Sequence, residues 1–438
     1  MKEKTPREYR DVVIVGNGPS GLFMSYLLSG KCPTYNGGNH PELILDSALN
    51  CLGSGRCLYD ADLITIAQSV EGNGTPIGIL MDKLLRPGAD IGLDMPSLID
   101  WRCHKSLDHV VIGKGPPGGI WHTIEGDTLT LSPSNWMELP GFPFTEFENS
   151  EGPKRVKASI VARYYTQYAR KMNLQQYMKR GVVNCIRPYE DLTDDENKTN
   201  WVVEGNDLNG ARFSYKCKYV VLASGTYDSP NVLGVEGEDL PWVYHSLKDF
   251  EDEFDSAQSV LIVGAGLSAA DAVRACRFRL AEVHHVFRNP KNPMEKSLHS
   301  SMYPDYHKIW QMMNIGDAKY PGYFPYRGCS VLSFYEEGRE RYAKLRYENG
   351  TVESVQINLV VILIGSTADL RYTQKEDLGL TTGPVHSRGN SVLIDPTTSE
   401  VLRLPNCFAI GSLAGENFVR NITGAAVMAA ARIYKFLQ

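Results

Sequence analysis

The sequence predicts an α/β protein with two Rossmann-like dinucleotide-binding domains, one inserted in the other. Three observations carry this. Gly16-Asn-Gly18-Pro-Ser-Gly21 follows the apolar run Asp11–Val15 and opens the helix-like stretch Ser20–Leu28. A second phrase, Gly264-Ala-Gly266-Leu-Ser-Ala269, follows Ser259–Val263 and opens Leu267–Ala275. The closing stretch, Asn406–Gly411 through Asn417 to a helix over about Gly424–Phe436, has the form of one more strand–loop–helix unit that returns to the first domain.

The glycine spacing has a chemical reason. The first Gly turns tightly out of the strand, the second lets backbone N–H groups approach a pyrophosphate, and the third position lets the helix pack closely. Phosphate then sits at the positive helix N-terminus. In the first copy Gly16, Gly18, Pro19, Ser20 and Gly21 are the expected phosphate loop; in the second, Gly264, Gly266, Leu267 and Ser268. Asp46 closes the run Glu42–Leu45, read as the next strand, where a carboxylate can hold both ribose hydroxyls of an adenosine without a 2′-phosphate, as in FAD. The strand-like Glu282–Phe287 ends instead in Arg288, and a cation there suits the 2′-phosphate of NADPH.

Between these units, Cys51–Ser106 reads as an insertion rich in Gly and Asp, carrying short helices such as Ile77–Leu85. Asp108–Ile112 is strand-like and leads into the Gly/Pro loop Gly113–Gly119, of the kind that brings backbone close to a ligand. Trp121 follows, and Leu131–Pro140 supplies Trp136. Along Ala158–Met172 a helical stripe of Val161, Tyr165, Tyr168 and Met172 is explained by core packing. Short strands from Val182 to Ser224 end at the small-residue turn before Gly225, a second place for close approach to a cofactor. Asn289–Arg327, dense in Tyr, Pro, His and Met, reads as an irregular lid or binding loop. Strand signals return at Tyr342–Arg346 and Leu359–Ile364. The implied domains are residues 1–240 and 358–438 for FAD, with Gly411, Asn417 and Gly424 returning to the flavin and the last helix aimed at it, and 241–357 for NADPH.

Composition narrows the function class. A chain of 438 residues, 42% hydrophobic and 22% charged, has the profile of a soluble protein larger than one ordinary domain. A net charge of −6 argues against nucleic acid or an anionic membrane as partner. The nine Cys form no CxxC and no metal-ligand cluster, so reduced thiols in a cytoplasmic setting are expected, with no metal. The charged first ten residues show no secretory signal, and the apolar runs fall short of the ~20 residues of a membrane span.

Taken together, GNGPSG, GGIWHTIEG, WMELPG, VVLASGTYDSP, VLIVGAGLSAADAV, MYPDYHKIWQMM and GSLAGENFVRNITGAA resemble the oxidative stress-induced growth inhibitor family, which is grouped with flavin-containing and Baeyer–Villiger-type monooxygenases. The resemblance spans about Tyr9 to Ala431. It implies that Gly118, Gly119 and Trp121 lie beside the flavin and that Tyr244-His245-Ser246 is a linker. Ser412 stands where an Asp is usual, with Glu416 and Asn417 nearby; the Phe-x-Gly of the broader linker is missing, and Asn135 is offset from a usual flavin-side Asn. The function implied is an FAD-dependent monooxygenase using NADPH and O₂ on a small substrate. The alternative is a regulatory flavoprotein acting through protein contacts in growth or death signalling. Trp121 and Asn135 are the candidates for a catalytic contact, and no acid–base pair is required because the cofactor carries the chemistry. Without CxxC or GxSxG, a disulfide reductase or a hydrolase is disfavoured.

Overall fold

The computed structural model describes residues 8–148, 152–189, 200–254, 258–288, 298–374, 377–380, 383–387 and 389–437. The chain divides into two compact units, Met1–Asp228 with Thr367–Gln438, and Ser229–Ser366; the expected boundaries at 241 and 357 fall inside the second.

The first unit begins with β1 (Glu8–Val15), α1 (Pro19–Leu28), β2 (Lys31–Tyr35), α2 (Leu43–Leu52), α3 (Leu63–Ala67), α4 (Pro76–Leu85), β3 (Ile99–Cys103) and β4 (His109–Gly113). It continues through α5 (Phe144–Glu148), α6 (Ala158–Lys171), β5 (Met178–Pro188), β6 (Trp201–Asp207) and β7 (Arg212–Leu222). Strand β1 is fully buried at Val12, Val13 and Ile14 and pairs in parallel with β4 on one side and β7 on the other. A central parallel strand is covered on both faces, which is why it reads as a continuous apolar run. Strand β5 pairs in parallel with β4, and the antiparallel β6 links it to β7. Helix α1 starts with Pro19, whose fixed φ suits the first turn, and buries Leu22, Phe23, Met24, Leu27 and Leu28 completely.

The second unit runs β8 (Ser229–Pro230), β9 (Val243–Tyr244), α7 (Leu247–Glu253), β10 (Ser259–Val263), α8 (Leu267–Phe278), β11 (Glu282–Phe287), α9 (Pro304–Ile315) and β12 (Tyr323–Arg327). Then come β13 (Cys329–Glu337), β14 (Glu340–Tyr347), β15 (Val352–Ile357), β16 (Leu359–Ile362) and β17 (Ser366–Thr367). Its parallel sheet has the order β12-β11-β10-β16-β9, and β13-β14-β15 is an antiparallel meander. The chain then completes the first unit with β18 (Cys407–Ala409), parallel to β7, and α10 (Thr423–Leu437).

Three expectations are corrected. Glu42–Leu45 is not a strand: residues 43–52 form α2, which buries Leu45 and Leu49 four residues apart while Leu43 and Ile44 face solvent. A four-residue apolar run does not distinguish the two periods. The strand after α1 is β2, which pairs antiparallel with β3 in a separate ribbon, while β4 takes the place beside β1. The thiols are not all reduced either: Cys32 of β2 is bonded to Cys57, a spacing of 25 residues that matches no redox motif, whereas Cys51 and Cys103 are free and exposed. Finally, the stretch 289–327 is more regular than its composition suggests, holding α9 and β12; residues 289–297 lie outside the described residues. Among the described residues no helix is long and apolar enough to cross a membrane, and no His/Cys/Asp/Glu group could hold a metal.

Candidate dinucleotide sites

In the first unit the phosphate loop is fixed by close backbone contacts. Gly16 has φ +114°, and a Cβ there would lie 2.3 Å from the Ala223 carbonyl oxygen at the tip of β7. Its N–H donates to Ile112 O of β4 at 2.8 Å, so the turn is wedged between both neighbouring strands. A Cβ on Gly21 would lie 2.0 Å from Gly16 O, which explains the third glycine. Gly18 differs: its backbone is ordinary extended (φ −67°, ψ −178°), and no atom lies within 4 Å of the place for a Cβ. Among the described residues no side chain caps α1 there, so the amides after Gly18 and Pro19 keep their attraction for an anion.

Asn17 ties this loop to the Gly/Pro loop after β4. Its Nδ2 donates to Gly115 O at 2.8 Å, its carbonyl accepts from Gly118 N at 2.9 Å, and a Cβ on Gly113 would collide with its amide. Gly118 and Gly119 both have positive φ, and a Cβ on Gly119 would lie 3.0 Å from Gly18 Cα. Tyr165 of α6 supports Gly118 and donates its hydroxyl to Met137 O at 2.8 Å, which brings the turn bearing Asn135 and Trp136 to the same place. Trp121 is half-buried 6.4 Å from the Tyr165 ring. The Oδ1 of Asn135 is buried with no hydrogen-bond partner among the described residues. Gly411 (φ +64°) comes in from β18; a Cβ there would meet Ser20 Oγ. The guanidinium of Arg420 lies 3.9 Å over the Trp136 ring and pairs with Asp82 of α4. Gly225 (φ +80°) is open, its nearest neighbour being Ser412 Oγ at 3.9 Å. An anion cradle, an orphaned amide oxygen and two glycine turns fit a flavin dinucleotide.

Other expected residues do not converge here. Asp46 sits in the first turn of α2, not at a strand end, and its carboxylate accepts from His40 N–H at 2.7 Å and from Asn50 at 3.3 Å, which ties the segment before α2 to the helix. At the tip of β4, beside β1, stands Lys114, bonded to Asp228 at 2.9 Å and Asp369 at 3.4 Å. Gly424 is a helix-crossing residue: a Cβ there would lie 2.4 Å from Gly78 N of α4. Asn417 is exposed and bonds Gly415 O. At the N-terminus of α10, Glu416 Oε1 accepts from Ala425 N–H at 2.8 Å and from the Thr75 hydroxyl at 3.1 Å. Burial pushes the Glu416 carboxyl up to about 8, against the pull of those donors, and its Oε2 is buried with no partner among the described residues. Asn17 and Lys114 escaped sequence reading, since each is an unremarked residue between glycines.

The second unit repeats the plan. Gly264 has φ +136°, a Cβ on it would lie 2.3 Å from Leu363 O, and its N–H donates to Val286 O at 3.0 Å. Gly266 is extended with nothing within 4 Å of a Cβ, and its own position supplies no side-chain cap to α8. Leu267 and the exposed Ser268 form its first turn. Arg288 is exposed just past the tip of β11. His245 is structural, bonded through Nε2 to Glu238 at 3.0 Å.

Residues 99–411 match the family described as pyridine nucleotide-disulphide oxidoreductase. Over nearly its whole length the chain is similar to oxidative stress-induced growth inhibitor 2 of Homo sapiens, at 35% identity across 95% of the chain and 91% of the relative. The chain belongs to the oxidative stress-induced growth inhibitor family. For this growth inhibitor homologue, flavin and nicotinamide nucleotides are the cofactors of the wider group, and the activity is that of a flavin oxidoreductase. Its fold is shared by the bacillithiol disulfide reductase of Staphylococcus aureus, with a TM-score of 0.65 at 17% identity over 98% of this chain and 100% of that one. A flavin-containing monooxygenase from Stenotrophomonas maltophilia is similar at a TM-score of 0.58, with 16% identity over 98% and 100% of the two chains.

Proposed function

We propose that this growth inhibitor homologue is an FAD-dependent monooxygenase that consumes NADPH and O₂ to oxygenate a small substrate. The observation that carries the proposal is the pair of uncapped helix N-termini behind open glycines, one in each unit, at Gly18 and Gly266. FAD takes the first and NADPH the second. Bound there, the two nucleotides would supply a hydride and a flavin able to pass its electrons to O₂, so that one oxygen atom could enter the substrate and the other leave as water. The chain's own residues bind and enclose. The Gly16–Gly21 amides hold phosphate, Gly118 and Gly119 allow close backbone approach, and Trp121 and Trp136 exclude water beside the Asn135 amide.

A reductase working through the chain's own disulfide is disfavoured by position. Cys32 lies past the far end of α1, whose 10 residues place it about 15 Å from the phosphate loop. It is also only 5% exposed. The test is electron accounting: NADPH oxidised, O₂ consumed and peroxide formed, with panels of small nucleophilic and carbonyl substrates. Coupled oxygenation leaves peroxide well below the NADPH used. Full recovery of electrons as peroxide with every substrate sinks the proposal and favours the regulatory flavoprotein. That second reading has one observation in its favour: Leu43, Ile44, Ile91 and Leu93 are exposed, on segments joined where Lys83 pairs with both Glu42 and Asp90.

The choice of nicotinamide nucleotide is tested at Arg288. If its guanidinium meets a 2′-phosphate, Arg288→Ala costs ~1.5–3 kcal/mol for NADPH and little for NADH. Flavin-reduction kinetics with both nucleotides read this directly. Equal losses return Arg288 to a solvated surface charge.

A further inference from the structure

Both polar backbone groups of Gly264 are held by β11. Its N–H donates to Val286 O at 3.0 Å, and its carbonyl lies 2.6 Å from Nε2 of His285. A carbonyl only accepts, so Nε2 carries the proton, and Nδ1 is left as an acceptor for the Tyr323 hydroxyl at 2.7 Å. His285 is 1% exposed and Tyr323 fully buried, so neither bond competes with water. Burial also holds the imidazole neutral, lowering it to about 4, so this arrangement persists across the physiological range. In a trans peptide the N–H points opposite to the preceding C=O. Fixing the Gly264 carbonyl toward β11 therefore fixes the direction of the next amide, away from β11. The first unit differs. There the corresponding carbonyl, Gly16 O, points at Gly21, where a Cβ would lie 2.0 Å away, and no imidazole among the described residues receives it. In the second unit Ala269 fills that third position, and the carbonyl goes to His285 instead.

We propose that His285 and Tyr323 are positioning residues for the nicotinamide nucleotide: the chain Tyr323–His285–Gly264 holds the loop in its pyrophosphate-binding form before the ligand arrives. This rests on the reading that the second loop takes that nucleotide. A loop set in advance loses less entropy on binding. Because the device acts on the pyrophosphate loop, it serves NADP⁺ and NAD⁺ equally, unlike Arg288.

The test is equilibrium titration of the purified flavoprotein with NADP⁺ and with NAD⁺, without turnover, for His285→Leu, His285→Gln and Tyr323→Phe. His285→Leu, which cannot donate to Gly264 O, raises both dissociation constants by the same factor, about tenfold for one lost buried hydrogen bond. His285→Gln, whose amide N–H can replace Nε2, stays within about threefold, and flavin content is unchanged in all three. A merely structural histidine would not be rescued by Gln. Unchanged affinity in a folded His285→Leu protein, a loss confined to NADP⁺, or a Gln variant as weak as Leu overturns the proposal. Should His285→Leu not fold, Tyr323→Phe decides: it keeps the ring and loses one hydroxyl, and unaltered affinity for both nucleotides overturns the proposal. Failure of the unaltered protein to bind either nucleotide would instead remove the reading of the second loop itself.

Discussion

Gly18→Asp is expected to give a folded protein that purifies almost free of flavin. The backbone at Gly18 (φ −67°, ψ −178°) is one that any residue adopts, and no atom lies within 4 Å of the new Cβ, so the substitution costs the unliganded fold little. An aspartate at this N-cap can even accept from the free amides of α1. Those are the amides a pyrophosphate would use. Two like charges about 4 Å apart repel by ~4 kcal/mol at an effective dielectric of 20, on the order of a thousandfold in affinity. Gly16→Ala is the contrasting variant. Its φ of +114° and the 2.3 Å approach of a Cβ to Ala223 O strain the junction of β1, β4 and β7, so it should lower the melting temperature as well as the flavin content. The ratio of flavin to protein absorbance, read beside a thermal melt, separates the two. A Gly18→Asp protein with a full complement of flavin would remove this loop from the site.

That contrast shows what was legible beforehand. Strand–turn–helix context identified β1 with α1 and β10 with α8, because a buried parallel strand, a glycine turn and a helix N-terminus each leave a local mark in the sequence. The limits of Ser259–Val263 and Glu282–Phe287 follow the apolar runs residue for residue. What depends on pairing between distant segments left no such mark. Asp46 looked like a strand-end carboxylate because the run before it is apolar; which strand stands beside β1 is decided by the register of Val12–Val15 with His109–Ile112, almost a hundred residues away. Gly424 looked like a cofactor glycine, yet its need for hydrogen in place of a side chain comes from Gly78, on a helix of the insertion. The bond between Cys32 and Cys57 and the grip of His285 on Gly264 are likewise tertiary facts, made by residues that carry no motif.

Glu416 supplies the second large effect, and its direction follows from burial. The carboxyl lies between the N-termini of α4 and α10, accepting from Ala425 N–H and from Thr75, which itself caps α4 by accepting from Gly78 N–H. Those donors favour the anion, but complete burial outweighs them and raises the group from 4.5 to about 8. The folded state thus binds this proton more tightly than the unfolded chain does. Its contribution to stability is complete below the unfolded value, declines as the pH climbs from about 4.5 to about 8, and is absent above that. At ~1.4 kcal/mol per unit of difference the loss across this window amounts to a few kcal/mol. Glu416→Gln keeps an acceptor for Ala425 and a donor where the acid carries its proton, and it does not titrate. The variant should match the unaltered protein near pH 5 and exceed it in denaturant midpoint by a growing margin toward pH 8.5. Urea unfolding followed at several pH values measures this. Parallel pH profiles for the two proteins would mean that Glu416 is ionised in the folded state, held as an anion by the two helix termini, and that the crossing of α4 and α10 is an ion-stabilised joint instead of a protonated one.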